Sequence, residues 1–346
     1  MTLRIIYVGK HGSGGNDDEG AILHALRVLG YTVEPLREGK GRFADQVLGP
    51  DPDLLLFHKW SDIDTIRRMR KRCKIAFWYF DRVNDPDPSI AGRSAERIAW
   101  MERVVPEVDY GFCTDGDWVK SVTGFQGGVG LGDGKLHWLP QGADERVVGF
   151  GRAESYPLPA GQMMPDGFAG IEQWPILFTG IRKGGQRRMS FVDEMTDHYP
   201  GRFRWIASGC HGRDLADAIA QSKIVVAPDA PLGPLYWSNR VYNTLGFGGF
   251  LLHPYTQGLD RQQVETYGYE AGRELVFYHS HQELHDLIGH YLASPEERWS
   301  IQSMGLARTL NQHLYRHRLE RLVAIVENRA NLPCGSWPDM PPSGRN

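Results

Sequence analysis

The sequence has few cysteines, no long apolar run and little net charge, and each shortage excludes a class of protein. Its four cysteines lie far apart and form no CxxC pair, so we expect no structural zinc site and a reducing compartment. No stretch approaches the ~18 apolar residues that cross a bilayer, and the N-terminal segment lacks the apolar core of a secretory signal. We therefore expect a cytoplasmic protein without a membrane span.

Acidic and basic residues nearly balance, 42 against 39, which leaves a formal net charge of −3. This balance excludes a strongly basic protein that coats nucleic acid, although it allows a local basic patch. Apolar residues make up 41% of the chain, enough for packed cores, so a wholly disordered chain is excluded as well. At roughly 100–200 residues per domain, a length of 346 residues predicts two domains.

Short apolar runs alternate with helical patterns in both halves of the sequence. In the first half, strands are predicted at residues 3–8, 32–36, 53–57, 75–79, 110–113 and 137–139. In the second half, strands are predicted at residues 176–179, 203–207, 224–227, 250–253 and 275–278. Fully apolar strands separated by helices are typical of parallel sheets covered on both faces. The predicted fold class is therefore α/β, with two doubly wound, Rossmann-like domains and a ligand in the cleft between them.

The domain boundaries follow from where this alternation stops. Pro and Gly without periodicity predict a linker at 144–174, between a first domain at 1–143 and a second at 175–312. A helical C-terminal extension follows at 313–330. The Pro- and Gly-rich residues 331–346 are predicted to be a flexible tail.

Two loops of the second half suit an anionic, nucleotide-like ligand. The sequence FTGIRKGGQRR leaves a strand and opens a helix, and it places four cations there: Arg182, Lys183, Arg187 and Arg188. Cations beside a helix N-terminus are unfavourable unless an anion lies between them, so this loop predicts a diphosphate site. A solvated charge run is the alternative.

The second loop lies within residues 228–254 and ends in a predicted helix. Ser238 is predicted to cap that helix, and Asn239 and Asn243, four residues apart, share one face. Together with Tyr236 and Arg240, these side chains suit a ribose and a phosphate. A structural helix with an aromatic cap is the alternative.

Candidate catalytic bases follow two strands of the first half. Asp81 ends an apolar strand at the edge that should face the cleft, where a carboxylate could take the proton of an acceptor hydroxyl. An ordinary ion pair with Arg82 is the alternative. His58 ends another strand and is the second candidate base, with a structural histidine as its alternative. The spacing of Asp85 and Asp87 matches a DxD pair, but they lie in a Pro-rich turn, so no metal site is predicted.

Two further segments could contact the acceptor. The glycine-rich loop at 9–20 follows a strand and opens a helix, and a tight turn with a helix cap is its alternative. Residues 66–74 are predominantly basic, and one side of their predicted helix could meet phosphates, although a solvated helix face is the alternative. The acceptor-side candidates are Gly12, Ser13, Gly14, Arg70 and Lys74.

Several segments resemble the CgeB-like glycosyltransferases of the GT-B superfamily. The resemblance is carried by SNRVYNTLGFGGFLLHP at 238–254, QGL at 257–259, HSHQELHDLIGHYLASPEERWSIQSMG at 279–305 and HLYRHR at 313–318. It extends upstream to WLPQGAD at 138–144 and ILFTG at 176–180.

This resemblance implies a GT-B fold in which a C-terminal helix crosses back to the first domain. It implies that the second domain binds a nucleotide sugar, UDP-linked, and transfers the sugar to a hydroxyl acceptor without a required cofactor or metal. The phosphate loop corresponds to Gly180, Arg182 and Lys183, and the helix start to Ser238, Asn239 and Arg240. Asn243 stands where many relatives have a Glu that holds the ribose hydroxyls.

Two alternatives to this function remain open. One is a DNA glycosyltransferase that acts on hydroxymethylated pyrimidines of viral DNA in the host cytoplasm, which the basic segment and the aromatic strand at 77–80 suggest. The other is a sugar-nucleotide-binding protein without turnover, which Asn243 suggests.

Overall fold

Two parallel β-sheets, one in each half of the chain, form the frame of the molecule. The computed structural model describes residues 3–11, 18–38, 51–85, 91–123, 135–148, 174–180, 186–207, 210–228 and 232–328. Within these ranges, no helix has the length and apolar character needed to cross a bilayer.

The first sheet has six strands and lies between two layers of helices. Its strands are β1 (Arg4–Gly9), β2 (Thr32–Arg37), β3 (Leu54–Phe57), β4 (Lys74–Tyr79), β5 (Tyr110–Cys113) and β6 (Leu136–Trp138). Its helices are α1 (Asp18–Val28), α2 (Ile63–Met69), α3 (Ala91–Val104) and α4 (Gly116–Thr123). All neighbouring strands are parallel, in the order β2-β1-β3-β4-β5-β6. Every residue of β3 is buried, as expected for a strand covered on both faces.

The second sheet repeats this architecture with five strands. They are β7 (Trp174–Thr179), β8 (Phe203–Ile206), β9 (Ser222–Val226), β10 (Leu251–Pro254) and β11 (Val276–Tyr278). The helices of this half are α5 (Gln186–His198), α6 (Gly212–Ala220), α7 (Arg240–Gly246), α8 (His281–Ala293) and α9 (Pro295–Gln312). The strand order is β11-β10-β9-β7-β8, so the chain reverses direction across the sheet between β7 and β9. The predicted α/β fold with two doubly wound sheets is confirmed.

The last helix, α10 (Tyr315–Val326), leaves the second half of the chain and packs on the first. Its fully buried Leu319 and Leu322 share a hydrophobic core with Ile22 and Leu26 of α1. Just before α10, the backbone pairs with the segment that follows β6: the amide of Ala143 donates to the carbonyl of His313 over 2.8 Å. The C-terminal helix thus belongs to the core of the first sheet.

The carboxyl ends of the first sheet face the second half of the chain. The amide of Gly116, just after β5, donates to the carbonyl of Leu235 over 3.0 Å. After β4, the Arg82 guanidinium donates to the carbonyl of Leu232. The indole rings of Trp138 and Trp237 meet edge to face, with centroids 5.8 Å apart. The interface between the two halves therefore lies at the carboxyl edge of the first sheet, the edge at which parallel α/β sheets bind ligands.

Truncation of Leu322 tests the packing of α10. Leu322→Ala should lower the free energy of unfolding by roughly 2–5 kcal/mol, because it removes apolar contacts from a fully buried position and leaves a cavity. Urea denaturation measures the change. Asn311→Ala, at an exposed position near the end of α9, is the control and should change it by less than about 0.5 kcal/mol. Equal stability of the Leu322→Ala variant would contradict the described packing.

Candidate active site

Arg240, the first residue of α7, lies against the carboxyl end of β7. Its Nε donates to the carbonyl of Thr179 over 3.0 Å, and its guanidinium lies 5.1 Å from the ring centroid of Phe178. A Cβ at Gly180 would lie 3.0 Å from Nη2 of Arg240 and 2.9 Å from the Phe178 ring, so glycine leaves this guanidinium its space. Gly180 and Arg240 thus adjoin, and their shared donor-binding role stays a prediction.

The charge of Arg240 is held in an unfavourable environment. Burial, together with the nearby cation of Arg188, lowers the pKa of Arg240 to about 9. Burial also lowers the pKa of Arg188. Among the residues that the structure describes, no carboxylate lies within ion-pair distance of Arg240. Two buried cations at the point where the second sheet reverses direction favour an anionic ligand there.

Asn243 follows Arg240 by one helical turn and carries an unsatisfied acceptor. Its amide oxygen is buried and has no hydrogen-bond partner in the described part of the chain. A buried acceptor of this kind costs roughly 1–3 kcal/mol until a donor reaches it. A hydroxyl of a bound ligand could supply that donor.

The start of α7 differs from the prediction. The helix begins at Arg240, and no side chain caps it, so the predicted Ser238 cap is wrong. The Ser238 hydroxyl instead accepts a 3.4 Å hydrogen bond from Nη1 of Arg240, because Ser238 lies one residue too early to reach the first free amides. The side-chain amide of Asn239 points to the first domain, where its Nδ2 donates to the carboxylate of Asp18 over 3.1 Å.

Tyr236 lies between the two domains. It is buried, with the Arg82 guanidinium 6.0 Å from its ring centroid. Burial raises the pKa of its phenol far above the usual range, and the nearby Asp81 adds to this increase. Tyr236 therefore acts as a neutral, amphipathic residue of the cleft wall.

Asp81 lies at the carboxyl edge of the first sheet, directly after Phe80. Its carboxylate contacts the Lys59 ammonium and lies 3.6 Å from Nη2 of Arg97, and its side chain is 39% exposed. The alternative of an ordinary ion pair is matched, with Lys59 and Arg97 as the partners of Asp81 in place of Arg82. Arg82 extends toward the second domain, and its guanidinium lies 3.8 Å from the carboxylate of Asp85. Asp81 is thus ion-paired and partly exposed.

His58 is enclosed by neighbouring side chains. Its Nδ1 lies 2.7 Å from the carbonyl of Trp78, which can only accept, so Nδ1 carries the proton and Nε2 accepts from the Tyr7 hydroxyl. Burial lowers the pKa of His58 to about 4. With both ring nitrogens engaged, His58 has the geometry of a structural histidine.

Arg70 and Lys74 lie at the wrong edge of the sheet for an acceptor role in the cleft. Lys74 is the first residue of β4, whereas Asp81 follows its last, and six residues of strand span roughly 20 Å. Arg70 donates to the carbonyl of Pro106 over 3.3 Å and lies 3.8 Å from the carboxylate of Asp109. The contacts of Arg70 match the alternative of a solvated, ion-paired surface, but the predicted helix does not extend over 66–74, because α2 ends at Met69 and Lys74 belongs to β4. The structure does not bring these two residues together with Asp81.

Other predicted site residues lie beyond the described ranges. They are Gly12, Ser13, Gly14, Arg182 and Lys183, and the side chain of Arg187 in α5 is outside them as well. Their roles stay predictions.

Sequence reasoning missed the part that Asp18 plays in the site. Its carboxylate accepts hydrogen bonds from Asn239, from the Tyr315 hydroxyl at 2.8 Å and from Nε2 of Gln141 at 3.3 Å. The only signal in the sequence is an acidic residue at a helix start, which predicts capping and says nothing of partners far along the chain.

The His58 environment predicts a pH dependence. Its folded-state pKa of about 4 lies below the ordinary 6.5, so its stabilising contribution, about 3 kcal/mol, is complete above pH 6.5 and is lost as the pH falls toward 4. ¹⁵N NMR at pH 5.5 should show a neutral ring with the proton on Nδ1, as in the pH 7 reference spectrum. Half-protonation of His58 near pH 6.5 would contradict this environment.

A protein-family profile described as "Glycosyl transferase-like" matches residues 187–324, a region that contains Arg240 and Asn243. A search of curated proteins finds no match.

Solved structures share the whole architecture at low sequence identity. HepE from Anabaena, solved in complex with UDP-glucose, is 11% identical, with a TM-score of 0.58 over 95% of this chain and 100% of HepE. Sucrose-phosphate synthase from Thermosynechococcus elongatus is 11% identical, with a TM-score of 0.63 over 94% of this chain and 99% of its own. The trehalose-6-phosphate synthase OtsA is 13% identical, with a TM-score of 0.57 over 94% and 99%. The chain therefore has the GT-B fold, and its residues 187–324 are similar to the glycosyl transferase-like family.

Proposed function

We propose that the protein is a glycosyltransferase that moves a sugar from a UDP-linked donor to an acceptor hydroxyl. In this proposal, residues 175–312 bind the donor and residues 1–143 bind the acceptor. The observation that carries it is the buried Arg240 beside Arg188 at the switch point of the second sheet, next to the unsatisfied oxygen of Asn243.

The donor diphosphate would lie against Arg240. A guanidinium in a low-dielectric site forms strong, charge-assisted hydrogen bonds to phosphate oxygens, and the bound anion would relieve the electrostatic cost of the two buried cations. The same contacts stabilise the negative charge that develops on the departing diphosphate, which is the role a metal ion has in other sites. Arg182, Lys183 and Arg187 are proposed to extend this cationic surface.

The ribose would lie over Asn243. Its orphan amide oxygen can accept from a ribose hydroxyl, as the Glu of many relatives would. The UDP-glucose bound by HepE supports a UDP-linked donor, and the segments at 238–254 and 279–305 support a CgeB-like subfamily.

The reaction we propose begins with the acceptor hydroxyl at Asp81. The carboxylate takes the hydroxyl proton as the oxygen bonds to the anomeric carbon, and the bond from that carbon to the diphosphate breaks. The bonding electrons leave with UDP, which Arg240 holds. Asp81 is the preferred base over His58, because its side chain is 39% exposed, whereas His58 is buried with both ring nitrogens engaged.

The alternative in which a base of viral DNA is the acceptor rested on two observations, the basic segment at 66–74 and the aromatic strand at 77–80, and the first no longer favours it. Arg70 and Lys74 belong to the basic segment that suggested it, and they lie at the edge of the sheet away from Asp81. The alternative without turnover predicts donor binding but no transfer, so a turnover assay separates it from our proposal.

Arg240→Met tests the donor site. The substitution keeps an unbranched side chain and removes the charge, so the affinity for UDP should fall about 10- to 100-fold, since hydrogen bonds to charged groups contribute roughly 1.5–3 kcal/mol. Isothermal titration calorimetry with UDP and UDP-glucose measures this change. Arg273→Met, at an exposed arginine of the same domain, is the matched control. Unchanged UDP affinity in Arg240→Met would refute the site.

Asp81→Asn tests the base. Transfer should slow by ~10²–10⁴-fold while UDP affinity is unchanged, because the shape is kept and the proton acceptor is lost, together with the ion pairs to Lys59 and Arg97. The assay follows UDP release from UDP-glucose with an acceptor panel that includes hydroxymethylated DNA. The control, Asp64→Asn, changes a carboxylate on α2 that is 89% exposed. A wild-type transfer rate in Asp81→Asn would eliminate Asp81 as the base.

A further inference from the structure

Residues 232–239 of the second domain are held by the first domain at three points. The Arg82 guanidinium donates to the carbonyl of Leu232, and the Gly116 amide donates to the carbonyl of Leu235. At the end of the segment, the Asn239 side chain donates to the carboxylate of Asp18. This segment leads directly into Arg240, so the donor site begins where the contact between the domains ends.

The backbone of this segment is held in a strained conformation. Leu235 has a φ of 55°, in the left-handed region that a branched side chain rarely adopts. Its amide donates to Gln257 over 2.9 Å, and its side chain lies against Gly116 and Gly258, where any Cβ would approach within 2.8 Å or less. Such strain persists only where the surroundings determine the conformation, which here includes the first domain.

Asp18 connects this segment to the rest of the first domain. Besides Asn239, it accepts from the hydroxyl of Tyr315, a fully buried residue that begins α10, and from Gln141, which follows β6. A carboxylate that accepts several hydrogen bonds fixes each donor more firmly than a neutral group would. Asp18 therefore sets the position of Asn239 relative to the first sheet.

A shift of Asn239 would also displace Arg240 and Asn243, the two donor-site residues of α7. The backbone carbonyl of Asn239 accepts a hydrogen bond from the backbone amide of Asn243 over 2.9 Å, so Asn239 takes part in the first turn of α7. Arg240 follows it directly and is fixed on its far side by the carbonyl of Thr179. The α7 helix has only seven residues, so its first turn carries both Arg240 and Asn243.

We propose that Asp18 is a positioning residue of the donor site: its carboxylate latches Asn239 to the first domain and thereby places Arg240 and Asn243. We call this Asp18–Asn239 hydrogen bond the latch. The latch follows from the contacts across the domain interface, and its effect on donor binding rests on the proposed function. Asp18 contacts neither the donor nor the reacting atoms in this proposal. It acts through Asn239.

A charge swap across the Asp18–Asn239 hydrogen bond tests the latch. Asn239→Asp places two carboxylates face to face, so hydrogen exchange at the Gly116 amide should become at least tenfold faster and UDP-glucose affinity should fall about tenfold. Adding Asp18→Asn rebuilds the hydrogen bond with donor and acceptor exchanged. Both values should then return to within about threefold of wild type, which general damage to the fold would not allow.

Two further variants keep the test decisive. Tyr315→Phe removes one donor to Asp18 without adding charge and should speed Gly116 exchange several-fold, so the latch can be judged even if Asn239→Asp fails to fold. Asp64→Asn, on exposed α2, is the matched control and should leave exchange unchanged. Exchange is measured by mass spectrometry of peptides that contain Gly116, and affinity by calorimetry with UDP-glucose.

The two readouts separate the latch from the proposed function. The latch would be overturned if the Gly116 amide exchanged as fast in the double variant as in Asn239→Asp. It would also be overturned if that amide exchanged at the wild-type rate in both Asn239→Asp and Tyr315→Phe. Absence of UDP-glucose binding by the wild-type protein would count against the proposed donor, and amide exchange would still decide on Asp18. Restored exchange without restored affinity would overturn the positioning role.

Discussion

The structure depends on one buried cation, Arg318, at the place where the chain returns to its first domain. Its Nε donates to the carbonyls of Pro140 and Gln141, and its Nη1 to that of Gln312. Its guanidinium also lies 5.1 and 4.9 Å from the ring centroids of Tyr242 and Tyr267. One side chain thus joins the end of the first sheet, the end of α9 and the aromatic wall of the second domain. Carbonyls and ring faces together offset the cost of burying its charge.

Arg318 and Arg240 show how differently two buried guanidiniums can be used. Arg318 has its donors directed at carbonyls and at the imidazole of His313, so its charge is matched by the protein itself. The Arg240 guanidinium contacts only the carbonyl of Thr179, the hydroxyl of Ser238 at 3.4 Å and the ring of Phe178 among the described residues. Burial lowers its pKa to about 9. The first arrangement is complete without a ligand, whereas the second is best satisfied by an anion from outside. This contrast distinguishes the structural Arg318 from Arg240, for which we propose a binding role.

The sequence predicts the strands of the two sheets well, because each strand depends on a local pattern of apolar residues. Apolar runs such as 54–57 must be buried whatever their neighbours, and all eleven predicted strands are present, with ends shifted by at most two residues. The position of Lys74 at the start of a strand and of Asp81 at its end could also have separated the two edges of the sheet. The predicted acceptor role of Lys74 relies on its charge alone, whereas the direction of the strand places it at the opposite edge from Asp81.

The site was harder to predict, because its contacts join distant parts of the chain. The donors to Asp18 lie 123, 221 and 297 residues away from it, and no spacing rule reaches that far. Arg82 is next to Asp81, yet alternate residues near a strand end point in different directions, so neighbours in sequence found different partners. The helix start at Arg240 rather than Ser238 reflects tertiary contacts of Asn239 that propensity does not include.

The backbone bridge just before α10 has a mechanical consequence. The segment that follows β6 and the segment that precedes α10 are bridged side by side, with Ala143 beside Leu314. A backbone bridge of this kind would act as a pin rather than a swivel, so rotation about it would be the easy motion and sliding would be resisted. Points near Ala143 would then move little, while the far rim of the cleft sweeps the largest arc. The geometry of the hinge would thus make opening of the cleft nearly a one-dimensional coordinate.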